Sequence, residues 1–388
     1  MKGTNIILTI SLLAVIAGCE GKSKLSTGDF ITVDARKKYP SRELILQEFM
    51  DVEYIALETT DEFLNQGNVL AIGKKIIAVR NNFNDGNIFI YDRNGKALRK
   101  INRRGGSGEE YTDIFRLILD EDNDEMFLND QNKRKIIVYD LNGEFKRSLS
   151  YKEGIRYEEI YIFDKENLIC NKQSSPRNDE QISEPSHFIV SKADGSIIKE
   201  IEIPYKQAKT LTTIVQTSND GVRYSMRGYS SIIPHGGNWI LAEPSSDTVF
   251  CYSLDHNMTP FIVRTPSIQS MDPEVFLLPY ILTDRYYFLQ SMTKERSGFT
   301  TNDLMYDKQA QAIFEYTVYN DDFSDRRTMN SRNWKTINND EIAFCSKLEA
   351  YALLEDYENG LLKGKLKEVV AKLDNDPNPV IMVVKYKK

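Results

Sequence analysis

The chain has 388 residues, enough for two ordinary domains or for one large all-β domain. Tyr and Phe are abundant, 28% of the residues are charged and the mean hydropathy is -0.45, which excludes an intrinsically disordered chain and describes a folded one. The formal charge of -7 disfavours a surface that follows nucleic-acid phosphates, so no nucleic-acid partner is expected.

The first residues predict an export signal. Lys2 precedes an uncharged apolar run, residues 6–17, that is shorter than the about 20 residues of a membrane span. The sequence "IAGC", residues 16–19, resembles the lipobox of bacterial lipoproteins, in which cleavage leaves a lipidated Cys19. We therefore predict a signal peptide at residues 1–18, then a lipidated Cys19 and a tether over residues 19–50, with the acyl chains in a membrane. An ordinary secretory signal is the alternative.

A strand–turn–strand pattern then repeats. "NIFIYDRNGKALRKI", residues 87–101, and "KIIVYDLNGEFKRSL", residues 135–149, each place an Asp/Asn/Gly turn between two strands. A period of about 50 residues is typical of propeller blades. The turn position recurs at Gly95, Gly143 and Gly195 and, more weakly, at His256 and Ala310.

One period contains four strand segments. Residues 116–150 divide into "RLILD", "EMFLN", "KIIVYD" and "EFKRSLS", separated by turns rich in Asp, Asn and Gly. Four antiparallel strands make one propeller blade. The alternation in the last segment suits an outer strand with one face on the neighbouring blade and the other in water.

The two ends of the repeat region supply a sixth blade. Residues 52–59 and 378–388 both read as strands that lack a partner in their own period, and the other strands of this blade are expected between residues 327 and 348. Pairing of the two ends would close a ring and remove its open edges. The predicted fold is an all-β, six-bladed β-propeller over residues 51–388, closed by its N- and C-terminal strands.

One segment has helical spacing instead. Over about residues 344–373 the apolar residues recur at three and four positions, which predicts a helix or a helix pair interrupted near Gly360, inserted in the last blade. Its exposed face carries Lys363, Lys365, Lys367 and Lys372, and either water or an anionic surface could face them.

These features resemble the six-bladed β-propeller lipoproteins of Bacteroidetes, which are related in architecture to NHL-repeat propellers. The lipobox, "YIALETTDE" at 54–62, "INRRGGSGEEY" at 101–111 and the ending "NPVIMVVKYK" carry the resemblance. Asn102 and Glu109 depart from that family's pattern in the Gly-rich segment. The resemblance implies a six-bladed β-propeller and export to the cell envelope, either facing the periplasm or at the cell surface. It does not indicate which activity the protein has.

Three places are candidate ligand sites. Arg103, Arg104 and Tyr111 border a Gly-rich segment that could present N–H groups to an anion or serve only as a connection between blades. His235, followed by two glycines, could lie on a loop at one mouth of the channel. Asp321 and Asp322 could point into the central channel.

Acidic runs raise the possibility of Ca²⁺, since carboxylate oxygens are its preferred ligands. The runs are residues 120–124, 320–322 and 374–377, and they lack the spacing of an EF-hand loop. Cys170, Cys251 and Cys345 stand between apolar residues and are expected to be buried thiols, with at most one disulfide.

No catalytic motif accompanies the three histidines, so no catalytic residue and no resident cofactor are predicted. We expect a monomeric, membrane-anchored envelope lipoprotein that acts as a binding or scaffold propeller for a glycan, a peptide or a protein. The alternative is a metal-dependent propeller hydrolase or lyase that acts on a lactone or a sugar.

Overall fold

The computed structural model describes residues 30–81, 85–172, 183–216, 221–225, 229–296, 298–330, 334, 336, 337, 339, 341–373 and 377–387. The expected signal peptide, Cys19 and the first part of the expected tether lie outside these residues. Within these ranges no helix is long and apolar enough to cross a membrane.

The described chain begins with three strands and one short helix. They are β1 (Ile31–Asp34), β2 (Ser41–Ile45), the short helix α1 (Leu46–Phe49) and β3 (Met50–Ala56).

Three four-stranded antiparallel sheets follow, blades 1 to 3. Blade 1 contains β4 (Asn68–Ile72), β5 (Ile76–Arg80), β6 (Asn87–Asp92) and β7 (Ala97–Asn102). Blade 2 contains β8 (Arg116–Asp120), β9 (Glu125–Asp130), β10 (Lys135–Tyr139) and β11 (Phe145–Ser150). Blade 3 contains β12 (Tyr157–Ile162), β13 (Asn167–Lys172), β14 (His187–Ser191) and β15 (Ile197–Ile201).

A separate hairpin, β16 (Thr212–Gln216) and β17 (Gly221–Ser225), comes before blade 4. Blade 4 contains β18 (Ile232–His235), β19 (Asn238–Leu241), β20 (Thr248–Tyr252) and β21 (Met258–Thr265). A 3-10 turn (Ile268–Ser270) leads to blade 5, which contains β22 (Val275–Leu282), β23 (Tyr286–Glu295), β24 (Gly298–Asp307) and β25 (Ala312–Tyr319), with β26 (Thr328–Met329) paired to β25.

Blade 6 is built from both ends of the described chain. Its strands are β27 (Ile342–Leu348), β28 (Val380–Tyr386) and β3, in the order β27, β28, β3. The helices α2 (Ala350–Glu358) and α3 (Gly364–Val370) connect β27 to β28. The predicted pairing of the two chain ends is present, because β28 runs antiparallel to β3 with Met382 opposite Tyr54.

The six sheets form a ring, as predicted. The strands β4 and β8, β8 and β12, β18 and β22, β22 and β27, and β27 and β4 contact one another in turn. Six apolar clusters lie one at each junction between neighbouring blades and form the core. The middle strands of each blade are therefore buried on both faces, whereas β7 and β11 alternate between buried and exposed residues.

The structure differs from the expected tether. Residues 31–49 are ordered parts of the ring: β1 adds a parallel fifth strand to blade 4 beside β21, and β2 adds one to blade 5 beside β25. Val33 and Leu44 are buried in the adjacent junctions. Any tether between Cys19 and the propeller therefore ends near residue 30.

The helical insertion is also shorter than expected. Phe344 and Leu348 belong to β27, so the first helix begins at Ala350 and not near residue 344. The interruption falls at the predicted place, where Gly360 has a φ of +69°. Leu353, Leu366 and Val370 bury the apolar side of the two helices against the junction of blades 5 and 6.

Candidate functional site

The turns that follow the first strands of blades 1 to 4 gather at one end of the ring. Together with residues of blade 6 they enclose a cavity of 910 Å³, which we call the mouth cavity. Five of the six blades contribute to its lining, as expected for a site at the mouth of a propeller. Its volume lies near the upper end of the about 300–1,000 Å³ that is usual for ligand sites.

One wall of the mouth cavity is apolar. Ile162 and Phe163 at the end of β12 face Pro234, Trp239 and Leu254 of blade 4. The Phe163 ring packs on Trp239, with centroids 6.4 Å apart and planes at 30°. Trp239 is 6% exposed and Leu254 is 52% exposed, so the wall runs from a buried indole to an open rim.

The opposite wall carries ion pairs. Glu53 of β3 accepts from Lys385 at 2.6 Å and from Arg93 at 3.4 Å. Lys74 pairs with Asp122 at 2.8 Å, and this hydrogen bond lowers the pKa of the Asp122 carboxyl. Both side chains of the second pair are mostly exposed, so its contribution to stability is small.

Two acidic side chains of the β8–β9 turn fix the shape of this wall. The Glu121 carboxylate accepts the backbone N–H groups of Lys74 at 2.7 Å and of Ile76 at 3.1 Å, which holds the turn of blade 1 against blade 2. Asp120 pairs with Lys192 at 2.8 Å, and both side chains are less than a tenth exposed. The acidic run at 120–124 therefore connects blades.

A second polar cluster joins the first strands of blades 2 and 3 and lies outside the lining of the mouth cavity. Glu159 of β12, 2% exposed, bonds Arg116 of β8 at 3.2 Å and the Ser230 hydroxyl at 2.9 Å. Ser230 in turn lies 3.3 Å from Thr336, in the segment that precedes β27. Burial raises the pKa of the Glu159 carboxyl, and the positive charge of Arg116 acts in the opposite direction. The same environment raises the pKa of Tyr161 to about 12.

The acceptor capacity of Glu159 is already used. Its second oxygen accepts the backbone N–H groups of Ser231 at 2.8 Å and of Ile232 at 3.2 Å. The cluster thus joins blades 2, 3 and 4 to the segment before blade 6, and its Arg116 keeps 32% of its side chain exposed. Its arrangement fits a brace across the axis, since its carboxylate has no vacant lone pair for a substrate proton.

The Gly-rich segment closes on itself. Tyr111 is fully buried between blades 1 and 2, where its hydroxyl accepts the Arg103 N–H at 3.0 Å, and burial raises its pKa to about 12. The Arg103 guanidinium extends away from the segment to Glu144 at 2.6 Å. The ammonium of Lys133 donates to three carbonyl groups of the segment, those of Gly105, Ser107 and Glu110.

A segment whose carbonyl oxygens converge on a lysine is shaped for a cation and not for an anion. Arg104 lies at the edge of this segment, where its N–H donates to Asn102 at 3.0 Å and its backbone bridges to Tyr111. Ligand binding by Arg103, Arg104 and Tyr111 stays a prediction, and the contacts assign these residues to the connection between blades.

His235 ends β18 at the same end of the ring as the mouth cavity but does not line it. Its ring packs at the junction of blades 4 and 5 against Tyr287, at 5.7 Å, and Phe261, at 6.1 Å. Burial lowers the pKa of His235, and the nearby charge of Lys308 acts in the same direction.

Asp321 and Asp322 do not point into the channel. The Asp322 carboxylate accepts from Tyr54 at 2.9 Å and from Gln47 at 3.0 Å, and Asp321 pairs with Lys363 at 2.8 Å. These contacts tie α1 and the helical insertion to the outer strand of blade 6. The expectation of a channel site fails because the run stands after the outer strand β25 and not after a strand near the axis.

The remaining candidates are the three cysteines, the acidic run at 374–377 and a metal site. Cys170, Cys251 and Cys345 are buried thiols, and no disulfide joins any two of these three. The run at 374–377 lies mostly outside the described residues. Within the described ranges, no group of three or more His, Cys, Asp or Glu side chains is placed to hold a metal ion.

The comparisons with known proteins agree with the propeller fold. The model of a family described as "Domain of unknown function (DUF4934)" matches residues 30–385. A crystal structure of a protein from Bacteroides fragilis NCTC 9343, described as exported, aligns with a TM-score of 0.58 and 14% identity over 93% of this chain and 100% of that chain. At this identity the likeness shows the fold alone.

A second solved structure is too dissimilar to support the fold. A member of the DUF4221 family from Bacteroides vulgatus ATCC 8482 aligns with a TM-score of 0.39 and 9% identity over 88% of this chain and 99% of that chain. No curated protein matches the sequence.

Proposed function

The chain belongs to the DUF4934 family, and from this premise we propose that it is an exported binding propeller whose mouth cavity holds its ligand. The mouth cavity carries the proposal: it joins an apolar wall to a wall of fixed ion pairs, and five blades shape it. Rigid pockets with one apolar side and a few placed polar groups are typical ligand sites. The exported relative from Bacteroides fragilis supports a location outside the cytoplasm.

The experiment is a thermal-shift screen of glycans, peptides and envelope extracts, followed by titration of each hit against two variants. Leu254→Arg places a charge on the exposed rim of the mouth cavity. Leu98→Arg is the matched control, because Leu98 is 44% exposed on β7, an outer strand that does not line the mouth cavity. We expect each true ligand to bind wild type and Leu98→Arg and to lose binding to Leu254→Arg. Equal binding to both variants would refute the mouth site.

Membrane anchoring is a separate part of the proposal. It rests on "IAGC" at 16–19, and the resemblance to the propeller lipoproteins of Bacteroidetes agrees with it. In a bacterial host that lipidates such signals, we expect the protein to fractionate with membranes and to carry covalent acyl chains that Cys19→Ala lacks. Wild-type protein without a bound acyl group, measured by mass spectrometry, would contradict the anchor.

The metal-dependent hydrolase or lyase stays the alternative, and the described carboxylates of the mouth cavity include the ion-paired Glu53 and Asp122. Elemental analysis of the purified protein and a lactone turnover assay test this alternative. A stoichiometric divalent cation together with turnover would replace the binding proposal.

A further inference from the structure

The charged side chains of the mouth cavity are occupied. Glu53, Lys74, Asp120 and Glu121 make the ion pairs and hydrogen bonds described above, and Glu341 also has a partner. A charged ligand group would have to replace one of these partners, or enter without a counter-ion at a cost in desolvation. The described lining includes five carboxylates and three cationic side chains, so its net charge also opposes an anion.

Two of the side-chain amides of the lining are differently placed. Asn94 and Asn238 line the mouth cavity, and among the described residues only their backbone groups take part in hydrogen bonds, not their side-chain amides. An amide both donates and accepts, which matches a pair of neighbouring hydroxyl groups. Asn238 and Trp239 both belong to β19 and both line the mouth cavity.

A sugar ring has the complementary chemistry. Its C–H faces are apolar and suit the wall of Ile162, Pro234 and Trp239, while its hydroxyl rim both donates and accepts hydrogen bonds. A cavity of 910 Å³ has room for more than one such ring.

The backbone around the mouth cavity disfavours a peptide. A peptide that binds as an added strand needs an unpaired strand edge. The described lining consists mainly of hairpin turns and strand ends. β4, β8 and β12 are the inner edge strands of their blades, and each contacts the inner strand of a neighbouring blade, which crowds the edge that an added strand would need. A helical peptide needs a long apolar groove, whereas only one wall of this cavity is apolar.

We infer that the mouth cavity binds an uncharged glycan, an inference that rests on the proposed function and narrows it to one ligand class. The amides of Asn94 and Asn238 bind hydroxyl groups, the apolar wall contacts the C–H faces, and the ion pairs of the opposite wall accept and donate further hydrogen bonds without changing partners.

The experiment uses Trp239 as its reporter. The chain has two tryptophans, so Trp334→Phe leaves Trp239 as the only indole, and a Phe at position 334 can keep the stacking on Phe344, now at 4.5 Å. In this background, quenching of Trp239 fluorescence is titrated with short neutral oligosaccharides, with matched oligosaccharides that carry uronic acid units, and with short peptides.

We expect quenching by a neutral oligosaccharide, a loss of about tenfold in affinity in Asn238→Ala, and no change in Asn132→Ala. Asn132 is the matched control, because it is an exposed turn residue of blade 2 that does not line the mouth cavity.

The outcomes separate the two proposals. A uronic acid oligosaccharide or a peptide that binds best, and that loses binding in Leu254→Arg, overturns the glycan inference and leaves the binding propeller standing. Binding of a neutral glycan that Leu254→Arg does not weaken overturns both. Absence of quenching by all three panels overturns the glycan inference.

Discussion

The glycines of the repeated turn pack against the blade before them. Gly95, Gly143 and Gly195 have φ values of +86°, +91° and +81°, which L side chains rarely adopt. A Cβ at Gly143 would lie 2.8 Å from Ile101 of the preceding outer strand, and a Cβ at Gly195 would lie 2.9 Å from Leu149. Glycine thus recurs in the repeat for two reasons, the turn conformation and the close contact between neighbouring blades.

We predict that Gly143→Ala lowers the free energy of unfolding by about 2 kcal/mol, through backbone strain and the displacement of Ile101. Gly154→Ala is the control, because Gly154 has a φ of +77° and nothing within 4 Å of its Cβ position. We expect the control to cost about 1 kcal/mol for the strain alone. Chemical denaturation measures both, and equal losses would show that the contact between blades is unimportant.

His187 makes the protein sensitive to acid. Its Nε2 donates to the Ser231 carbonyl at 3.2 Å, its Nδ1 lies 3.0 Å from the Ser186 hydroxyl, and burial lowers its pKa to about 4. The unfolded chain, with a pKa of about 6.5 at this residue, binds the proton more readily, so His187 favours folding above pH 6.5 and this stability is lost as the pH falls towards 4.

We predict that wild type loses roughly 2 kcal/mol more stability than His187→Asn when the pH falls from 7 to 5. Urea denaturation at both pH values measures the difference. His235 and the carboxyl groups contribute equally to the pH dependence of both proteins, so their effects cancel. An identical pH dependence of the two proteins would contradict the prediction.

The candidate site was less predictable than the fold. Arg103, Tyr111, Asp321 and Asp322 attract attention as charged or Gly-rich motifs, yet they hold segments together. Each of the five contributing blades supplies only a few residues to the mouth cavity, and many of these lie in turns that resemble every other turn. Their position after the first strand of each blade is the one signal in the sequence that could have indicated them.

At the scale of the element, the N-terminal segment is the main departure from the predicted fold. β1 and β2 are short, and their partners β21 and β25 lie more than 200 residues further along the chain, so no local pattern indicates the pairing. Both strands cover outer edges that would otherwise remain open. Blades 1 to 3 lack such a strand within the described residues.

We predict that Val33→Asp lowers the free energy of unfolding by about 3 kcal/mol. Val33 is fully buried in the apolar cluster at the junction of blades 4 and 5, where a carboxylate would lose its hydration. Thr32→Asp is the matched control on the exposed side of the same strand, with an expected change within about 0.5 kcal/mol. If both variants have wild-type stability, residues 31–34 do not stabilise the ring.

At the scale of the whole molecule, β28 belongs to two cores at once. Val380, Met382 and Val384 face the junction of blades 5 and 6, whereas Ile381 and Val383 face the junction of blades 6 and 1. All five are fully buried. The closed ring could be predicted because its last strand combines an unbroken apolar run with an unpaired strand near the N-terminus.

We predict that a chain ending at Pro379 does not fold. Five buried side chains at roughly 1.5 to 3 kcal/mol each are comparable to the about 5–15 kcal/mol that stabilises a whole domain. A chain ending at Tyr386 is the control, since among the described residues it loses the hydrogen bonds from Lys387 to Gln47 and Glu48 and keeps β28 complete. Circular dichroism and gel filtration distinguish the two, and a cooperative thermal transition in the shorter chain would contradict the prediction.

The pairing of β3 with β28 joins the two ends of the propeller, so β3 has no partner until the last strand has been made. Lys387 meets Glu48 across 339 residues of sequence. At a synthesis rate of about 5–20 residues per second, β3 waits roughly 20 to 70 s for its partner after it has been made. Until β28 is available, β3 presents an unpaired sheet edge, so closure of the ring is the step of folding that is most open to aggregation.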